Sequence, residues 1–267
     1  MVKAIVTGAA GRMGGRIISS IRDTQGIELS GALERNGHVA LNQDAGILSG
    51  AGRIGVSVSS DIDKIIDSAD VVIDFTTPEA SLEHLKVASQ AGRALIIGST
   101  GFSTSQMEEV RKHCNNIPCV ISANMSVGVN VILKVLRDTA KILGDDYDVE
   151  IVEAHHRLKK DAPSGTALML GRAVAEGLGR DLDEVGVYER HGIIGERTKK
   201  EIGIQTLRGG DIVGDHTVMF AGPGERLEFI HRAHTRDNFA KGAVKAALWV
   251  VGKKPGLYDM QDVLGLK

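Results

Sequence analysis

The fold is decided by residues 2–14, which read VKAIVTGAAGRMG. Val2 to Thr7 is a short apolar run typical of a buried strand, and Met13 to Ile21 carries apolar residues at helical spacing. A glycine turn between a strand and a helix lets backbone N–H groups approach a pyrophosphate at the positive end of the helix. The spacing here is G-x-x-G-x-x-G instead of G-x-G-x-x-G. A turn that needs glycine only for packing therefore stays an alternative to nucleotide binding.

Strand-like and helix-like segments alternate through the rest of the first half. Further strands are predicted at 27–33, 71–75, 94–97 and 119–122, and further helices at 61–68, 78–90 and 105–114. The strands are nearly continuous apolar runs, as expected when helices cover both faces of a parallel sheet. This alternation predicts an α/β fold with a Rossmann-like, doubly wound parallel sheet. Residues 35–56 are glycine-rich and are predicted to form a long surface loop.

The pattern changes after about Asn124. Helices are predicted at 129–143, 167–178 and 239–251, and strands at 149–154, 202–207, 216–221 and 227–231. Short strands that follow one another without intervening helices are typical of an antiparallel or mixed sheet. We therefore predict a dinucleotide-binding domain over 1–126 and a second, α+β domain with a mixed sheet over 127–236.

The composition argues against several classes of function. The 267 residues include 32 basic and 34 acidic side chains, so the basic excess of a nucleic-acid-binding protein is missing. The sequence contains no run of 18 apolar residues, so no membrane span is predicted, and the first residues do not resemble a signal peptide. Cys114 and Cys119 have the spacing of neither a zinc site nor a redox pair, which favours free thiols and a cytoplasmic location.

Charged residues near the glycine turn bear on the choice of nucleotide. Glu34 follows Gly14 by 20 positions, about where a carboxylate binds the ribose hydroxyls of NAD. Arg12 and Arg35 are suited to a 2′-phosphate, because a guanidinium group matches phosphate geometry. NADH, NADPH and the use of both therefore stay open. An exposed pair at a strand end is the plainer interpretation of Glu34 and Arg35.

Two further loops, 75–78 and 98–102, follow predicted strands and carry hydroxyl groups and glycines. Ligands of open α/β sheets bind outside the carboxyl ends of the strands, so both loops are expected to face the crevice of the glycine turn. Ordinary turn chemistry explains either loop taken alone.

Residues 153–166, EAHHRLKKDAPSGT, lie between a predicted strand and a predicted helix. Pro163, Ser164 and Gly165 predict a helix entry whose first N–H groups can bind an anion, next to lysine side chains. Consecutive strand residues point to opposite faces, so His155 and His156 are expected to have different roles. A metal site needs three or more converging ligands and none is evident, so no metal is expected. A satisfied histidine pair beside a solvated charged turn is the alternative.

This segment resembles the signature of the 4-hydroxy-tetrahydrodipicolinate reductase (dihydrodipicolinate reductase) family. Residues 8–14, 98–102, 122–130 and 255–260 resemble the same family. The resemblance implies an NAD(P)H-dependent oxidoreductase of lysine and diaminopimelate biosynthesis that reduces a small dicarboxylate in the cytoplasm. It also implies a homotetramer formed through the second domain, no nucleic-acid or membrane partner, and a segment 237–267 that returns to the nucleotide domain.

The resemblance assigns roles to individual residues. The catalytic positions are His155 and Lys159. The positions that contact the substrate carboxylates are His156, Lys159, Ser164, Gly165 and Thr166. Together with the glycine turn, the cofactor positions are Gly8, Gly11, Arg12, Met13, Gly14, Glu34, Arg35, Gly98, Thr100, Ser122, Ala123, Asn124 and Met125.

Two positions depart from the family pattern. Residues 123–125 read Ala-Asn-Met where the family often has Pro-Asn-Phe, and Gly15 stands where some members carry a basic residue. The second departure weakens the expectation of a preference for NADPH.

The implied reaction is hydride transfer to a cyclic, conjugated imine dicarboxylate, followed by protonation. The implied substrate is 4-hydroxy-tetrahydrodipicolinate, which must lose water on the way to tetrahydrodipicolinate. Lys159 is favoured as the proton donor, with His155 in support. A related amino-acid dehydrogenase, such as L-aspartate dehydrogenase, and a nucleotide sensor without catalysis are the alternatives. A sensor would be expected to lose the lysine or the histidines of residues 155–159, which this chain keeps.

Overall fold

Twelve strands form two separate sheets in the computed structural model, which describes residues 1–267. The strands are β1 (Val2–Thr7), β2 (Ile27–Leu33), β3 (Val58–Ser59), β4 (Val71–Asp74), β5 (Ala94–Ile97), β6 (Pro118–Ile121), β7 (Asp148–His155), β8 (Gly186–Val187), β9 (Ile202–Arg208), β10 (Gly214–Gly222), β11 (Glu225–Ala233) and β12 (Gly256–Tyr258). The helices are α1 (Arg12–Arg22), α2 (Ala45–Ser49), α3 (Pro78–Ala91), α4 (Thr104–Cys114), α5 (Val127–Leu143), α6 (Gly165–Gly177), α7 (Leu182–Val185), α8 (Asp237–Val250) and α9 (Met260–Leu264).

The chain divides into two compact units. The first unit contains Met1–Val127 and Arg236–Lys267, and the second contains Gly128–Thr235. None of the helices combines the length and the apolar character that crossing a bilayer requires.

The sheet of the first unit has seven parallel strands in the order β12-β6-β5-β4-β1-β2-β3. The chain moves outward from β1 through β2 to β3 and then returns to the other side of β1 with β4. The strand order therefore reverses between β1 and β4, the position at which open α/β sheets bind ligands. The prediction of a Rossmann-like, doubly wound sheet is confirmed.

Strand β1 shows why its apolar run is continuous. Ala4 and Val6 are fully buried in a core with the α1 side chains Ile17 and Ile18. Ile5 points to the other face and is buried in a second core, which lies against α3 and α4. Because both faces of the sheet are covered at these positions, Ala4, Ile5 and Val6 all have to be apolar, whereas Lys3 near the start of the strand is exposed.

The sheet of the second unit has the order β11-β10-β7-β9-β8. Strand β7 is parallel to β9 and antiparallel to β10, so the predicted mixed sheet is confirmed. Alternate residues of β10, including Val218 and Phe220, are buried in a core with Leu170 and Val174 of α6. One face of this sheet thus packs on helix α6.

Six short elements were not predicted, because their sequences carry no readable apolar period. They are β3, β8, β12, α2, α7 and α9. The helix predicted at 61–68 is only a 3-10 turn at Ile66–Ser68. The predicted loop 35–56 contains α2, whose entry is held by Asp44: its carboxylate accepts hydrogen bonds from the N–H groups of Gly46 and Gly55 at 2.9 and 2.6 Å. Strand β12 pairs in parallel with β6 at the edge of the first sheet.

Candidate functional site

The glycine turn connects β1 to α1 with very little space. The N–H of Gly11 donates to the carbonyl oxygen of Gly8 at 2.8 Å, and Gly8 has a φ of +60°. A Cβ on Gly14 would lie 2.1 Å from the same carbonyl oxygen, so only glycine lets the helix start this close to the strand. No side chain caps α1, which leaves its first N–H groups available to an anion. The turn therefore fits the pyrophosphate of a dinucleotide.

Glu34 lies beside this turn although it follows a different strand. Its carboxylate accepts hydrogen bonds from the N–H groups of Ala10 and Arg35, at 3.2 and 3.1 Å. The side chains of Arg12 and Arg35 are exposed. The structure thus brings an acceptor and two guanidinium groups to the region in which the ribose end of a dinucleotide would lie.

The loops after β4 and β5 lie at the same edge of the sheet. A Cβ on Gly8 would lie 3.1 Å from Thr76 Cγ2, so the loops after β1 and β4 touch. A Cβ on Gly98 would lie 2.3 Å from the ring of Phe75, which joins the loop after β5 to the one after β4. Thr100 in that third loop is exposed.

The loop after β6 completes this edge. Ser122 Oγ donates to the carbonyl oxygen of Asn124 at 2.9 Å, and the N–H of Ser126 donates to Asn124 Oδ1 at 2.9 Å. Met125 is buried and Ala123 is exposed. All cofactor positions implied by the resemblance, including Met13 in the first turn of α1, lie at or beside the carboxyl ends of the first unit's strands.

A cluster that sequence reasoning missed lies directly behind these loops, around the fully buried Asp74 at the end of β4. Its carboxylate accepts hydrogen bonds from Thr76 Oγ1 at 2.7 Å, Ser81 Oγ at 2.9 Å and Ser99 Oγ at 3.3 Å. His84 Nδ1 lies 2.5 Å away. Burial alone would raise the pKa of Asp74, but the bonds from His84 and Thr76 outweigh it and lower the pKa. One buried anion thus ties together the loops after β4 and β5.

A second buried carboxylate, Glu153, lies at the end of β7 in the second unit. Arg208 forms a two-pronged contact with it, Nη1 to Oε2 at 2.8 Å and Nη2 to Oε1 at 2.9 Å. The N–H of Ser164 donates to Oε1 at 2.9 Å, and His155 Nδ1 lies 2.6 Å from Oε2. Burial alone would raise the pKa of Glu153, but the bonds from Arg208, His155 and Ser164 keep it below its usual value. Glu153 is therefore ionised.

The ionised Glu153 fixes the state of His155. A carboxylate only accepts hydrogen bonds, so the ring proton of a neutral His155 is on Nδ1 and a lone pair is on Nε2. Burial lowers the pKa of His155, against the opposing effect of Glu153. His155 is accordingly mainly neutral at pH 7.

The polar residues around Glu153 form one row across the sheet. Thr206 of β9, Glu153 of β7, His216 of β10 and His231 of β11 are register partners. The neighbouring row is apolar and contains Ile204, Ile151, Val218 and Phe229. The hydrophobic core therefore ends at this row, and a polar shelf begins under the N-terminus of α6.

The first turn of α6 lies above the shelf. Ser164 caps the helix: its Oγ accepts from the N–H of Ala167 at 3.1 Å and lies 3.0 Å from His216 Nε2. A Cβ on Gly165 would meet nothing within 4 Å, so the space outside this turn is open. Thr166 follows in the same turn and is half-buried.

Lys159 and the two histidines have distinct surroundings. Lys159 Nζ contacts both carboxylate oxygens of Asp161, at 2.8 and 2.9 Å. Strand β7 ends at His155, and the backbone N–H of His156 donates to the carbonyl oxygen of Ile212 at 2.8 Å. His156 Nδ1 is buried and has no hydrogen-bond partner within the chain. No group of three or more His, Cys, Asp or Glu side chains is placed to hold a metal ion.

Sequence reasoning assigned no role to Glu153, Arg208, His216 or Asp74. Asp74 did carry a signal, because it is a carboxylate at the end of an otherwise apolar strand, whereas Glu153 shares its strand with Asp148 and Glu150. A buried charge of this kind needs a partner and so marks a constrained position. Arg208 and His216 carried no comparable signal, because their contacts join positions more than 50 residues apart.

The first unit has a doubly wound sheet with a glycine turn at its switch point, and the second is an α+β unit with open space outside the N-terminus of α6. Together these features define the class of two-domain dinucleotide-binding oxidoreductases. Two family models match this chain: "Dihydrodipicolinate reductase, N-terminus" over residues 2–125 and "Dihydrodipicolinate reductase, C-terminus" over residues 128–264. The chain belongs to the dihydrodipicolinate reductase family, which confirms the resemblance and implies a nicotinamide cofactor.

Named relatives agree with this assignment. The 4-hydroxy-tetrahydrodipicolinate reductases of Syntrophus aciditrophicus and Syntrophobacter fumaroxidans are 60% and 61% identical to this chain, each over 100% of both chains. A dipicolinate-bound dihydrodipicolinate reductase from a Paenisporosarcina species superposes with a TM-score of 0.77 at 23% identity, covering 98% of each chain. The last comparison confirms the fold.

Proposed function

We propose that this protein catalyses the NAD(P)H-dependent reduction of 4-hydroxy-tetrahydrodipicolinate to tetrahydrodipicolinate with release of water, a step of lysine and diaminopimelate biosynthesis. Within the family assignment, the observation that carries the proposal is the arrangement at the end of β7. A lysine, a histidine fixed by a buried carboxylate and the open N-terminus of α6 occur together there. This set of groups suits a small dianion that must be held and protonated.

The first unit, which we assign to residues 1–126 and 237–267, binds the dinucleotide. The glycine turn and the first N–H groups of α1 hold the pyrophosphate, and Glu34 accepts from ribose hydroxyls. Gly98, Thr100 and residues 122–125 supply the remaining contacts from the neighbouring strand ends. When bound, the reduced nicotinamide supplies the hydride.

The second unit, assigned to residues 127–236, binds the substrate carboxylates. Ser164, Gly165 and Thr166 lie in the first turn of α6, where the helix dipole favours an anion and the space outside Gly165 is open. Lys159 adds a full positive charge, and its backbone N–H donates to the carbonyl oxygen of His156 at 3.1 Å. The two carboxylates of the substrate thus meet two different kinds of positive group.

Lys159 donates the proton to the carbon skeleton of the reduced substrate. His155 is a poor donor in this structure, because its Nδ1 hydrogen faces Glu153 and its Nε2 holds a lone pair when the ring is neutral. The ammonium group of Lys159 carries three hydrogens. His155 supports the site by packing beside the reacting groups in one fixed orientation.

The matched variants Lys159→Ala and Lys160→Ala test this role, because Lys160 is the next residue and is exposed. Turnover is followed by the near-ultraviolet absorbance of the reduced nicotinamide, with enzymatically prepared substrate. We expect Lys159→Ala to lower kcat by about 10²- to 10⁴-fold, the usual range for a lost general acid. NADH affinity and the activity of Lys160→Ala should stay unchanged.

Two results would contradict these proposals separately. If the unaltered protein consumes no NADH or NADPH with this substrate, the proposed reaction is wrong. If the unaltered protein is active and Lys159→Ala is equally active, only the role of Lys159 is wrong.

We further propose that both NADH and NADPH are used. Glu34 favours the free ribose hydroxyls of NADH, whereas the exposed Arg12 and Arg35 favour a 2′-phosphate. Comparable kcat/KM values for the two cofactors are expected. In Glu34→Gln the ratio should move toward NADPH, because a negative charge near the 2′-phosphate is removed. A ratio that strongly favours one cofactor in the unaltered protein would reject dual use.

The second sheet also supports a homotetramer. Strand β11 pairs only with β10, so one edge is unpaired. Leu207 and Ile230 are 56% and 46% exposed on the face opposite the polar row. We expect Ile230→Glu to produce smaller species in size-exclusion chromatography with light scattering. A tetramer that tolerates this charge would place the interface elsewhere.

A cytoplasmic location completes the proposal and is supported by the two free, buried thiols of Cys114 and Cys119.

A further inference from the structure

The contact between Lys159 and Asp161 has the chemistry of the substrate contact assigned to Lys159. Both oxygens of the Asp161 carboxylate lie within hydrogen-bond distance of Nζ, at 2.8 and 2.9 Å. Lys159 is 19% exposed, whereas the side chain of Asp161 is 64% exposed. The carboxylate therefore approaches the ammonium group from the solvent side, the direction open to a ligand.

The backbone of Asp161 is held independently of its side chain. Its carbonyl oxygen accepts a hydrogen bond from Arg208 Nη2 at 2.7 Å, and the same guanidinium group grips Glu153. Rotation of the Asp161 side chain is therefore enough to release Lys159, and the segment itself does not have to move. The hydrogen bond from Lys159 also lowers the pKa of Asp161, so the carboxylate is ionised at neutral pH.

We propose that Asp161 is a specificity-determining residue that occupies Lys159 as an internal stand-in for a substrate carboxylate and is exchanged for it on binding. The inference rests on the proposed function and deepens it. The exchange breaks one carboxylate–ammonium contact and forms another, while Asp161 turns into water. Lys159 thus always has an anionic partner. A ligand must carry a carboxylate of its own to displace the carboxylate of Asp161.

The exchange has a measurable consequence for affinity. Part of the attraction between Lys159 and a carboxylate ligand is used to displace Asp161. Exposed ion pairs are weak, so the loss is limited to about five-fold in affinity. Removing the charge of Asp161 should therefore tighten the binding of dicarboxylates. A ligand without a carboxylate should gain nothing.

The test uses the full-length protein and pyridine-2,6-dicarboxylate (dipicolinate) as the probe, with binding measured by isothermal titration calorimetry in the presence of NADH. Asp161→Asn removes the charge, and Asp161→Glu keeps a carboxylate. Asp211→Asn is the matched control, because Asp211 is exposed, makes no ion pair and lies next to Ile212, which contacts the backbone of His156.

We expect dipicolinate to bind about two- to five-fold more tightly to Asp161→Asn. Asp161→Glu and Asp211→Asn should both bind as the unaltered protein does. In turnover assays Asp161→Asn should lower KM for the substrate without a matching rise in kcat. NADH affinity should not change.

The inference is overturned if Asp161→Asn binds dipicolinate equally or more weakly, which would make Asp161 an orienting partner of Lys159. It is also overturned if Asp211→Asn tightens binding to the same extent, since the effect would then be one of net charge. Failure of the unaltered protein to turn over its substrate would reject the proposed function instead and is scored in a separate assay.

Discussion

Each unit contains a fully buried carboxylate at the end of a strand, paired with the Nδ1 atom of a histidine. In the first unit Asp74 meets His84 and three hydroxyl groups. In the second unit Glu153 meets His155, a backbone N–H group and the guanidinium group of Arg208. The difference lies in the balancing charge: Arg208 stays charged, whereas a histidine can lose its proton.

This difference shows how similar polar clusters serve different ends. Asp74 binds groups from two loops and from α3, so it fixes backbone segments at the edge of the proposed cofactor site. Glu153 fixes the orientation and the tautomer of His155 and the start of α6. The first cluster holds loop segments in place, and the second sets the state of one histidine side chain.

The largest expected effect comes from Glu153→Gln. The change leaves the partly buried Arg208 opposite a neutral amide, and removing one member of a buried ion pair costs about 3–5 kcal/mol. Glu150→Gln is the matched control, because Glu150 lies on the same strand with a similar contact to Arg190 but is 21% exposed. Urea denaturation should show a much smaller loss for the control. Equal losses would mean that burial of Glu153 does not matter.

Asp74→Asn is expected to cost less, about 1–3 kcal/mol. The three hydroxyl groups around Asp74 can reorient toward the amide, and no guanidinium group is left opposite it. Urea denaturation measures the loss of unfolding free energy of Asp74→Asn and of Glu153→Gln in the same experiment. A loss as large as that of Glu153→Gln would show that reorientation of the hydroxyl groups does not relieve the change.

The two units should also differ in their response to acid. Burial lowers the pKa of His216 to about 4 and also lowers those of His155 and His231. Because these folded pKa values are depressed, protons bind the unfolded state first, and stability is lost as pH falls below about 6.5.

For His216 the loss between pH 7 and pH 5 is about 2 kcal/mol. Hydrogen exchange followed by mass spectrometry should show β7 and β10 losing protection over this range before β4 and β5. The variant His216→Gln should reduce this pH dependence. Equal loss of protection in both sheets would reject the assignment to the second unit.

The smallest effects are expected for one hydroxyl donor in each cluster. Thr206 Oγ1 donates to Glu153 at 3.2 Å, and Ser99 Oγ donates to Asp74 at 3.3 Å. Thr206→Val and Ser99→Ala should each cost about 0.5–1.5 kcal/mol in thermal or urea unfolding. A clearly larger loss of stability for either variant would show that its hydroxyl group contributes more than the other donors of the same cluster.

The sequence predicted the long elements with boundaries within about two residues, because apolar period and glycine position are local properties. It placed β1 at 2–7, as found, and missed α2 and β12, whose stability comes from contacts with distant segments. For the site, the rule that ligands bind at the carboxyl ends of strands predicted which loops to consider.

The sequence by itself determined the order of strands and helices, the glycine turn at the first strand and the family of the chain. It did so because apolar periodicity and motif spacing depend on neighbouring residues. Only the tertiary structure decided that Arg208 neutralises Glu153, that His216 lies under Ser164 and that Asp161 occupies Lys159. The first two pairings join residues 55 and 52 positions apart, and the third depends on side-chain orientation in a turn. The two long-range contacts follow from the packing of strands into one sheet, which no local pattern specifies.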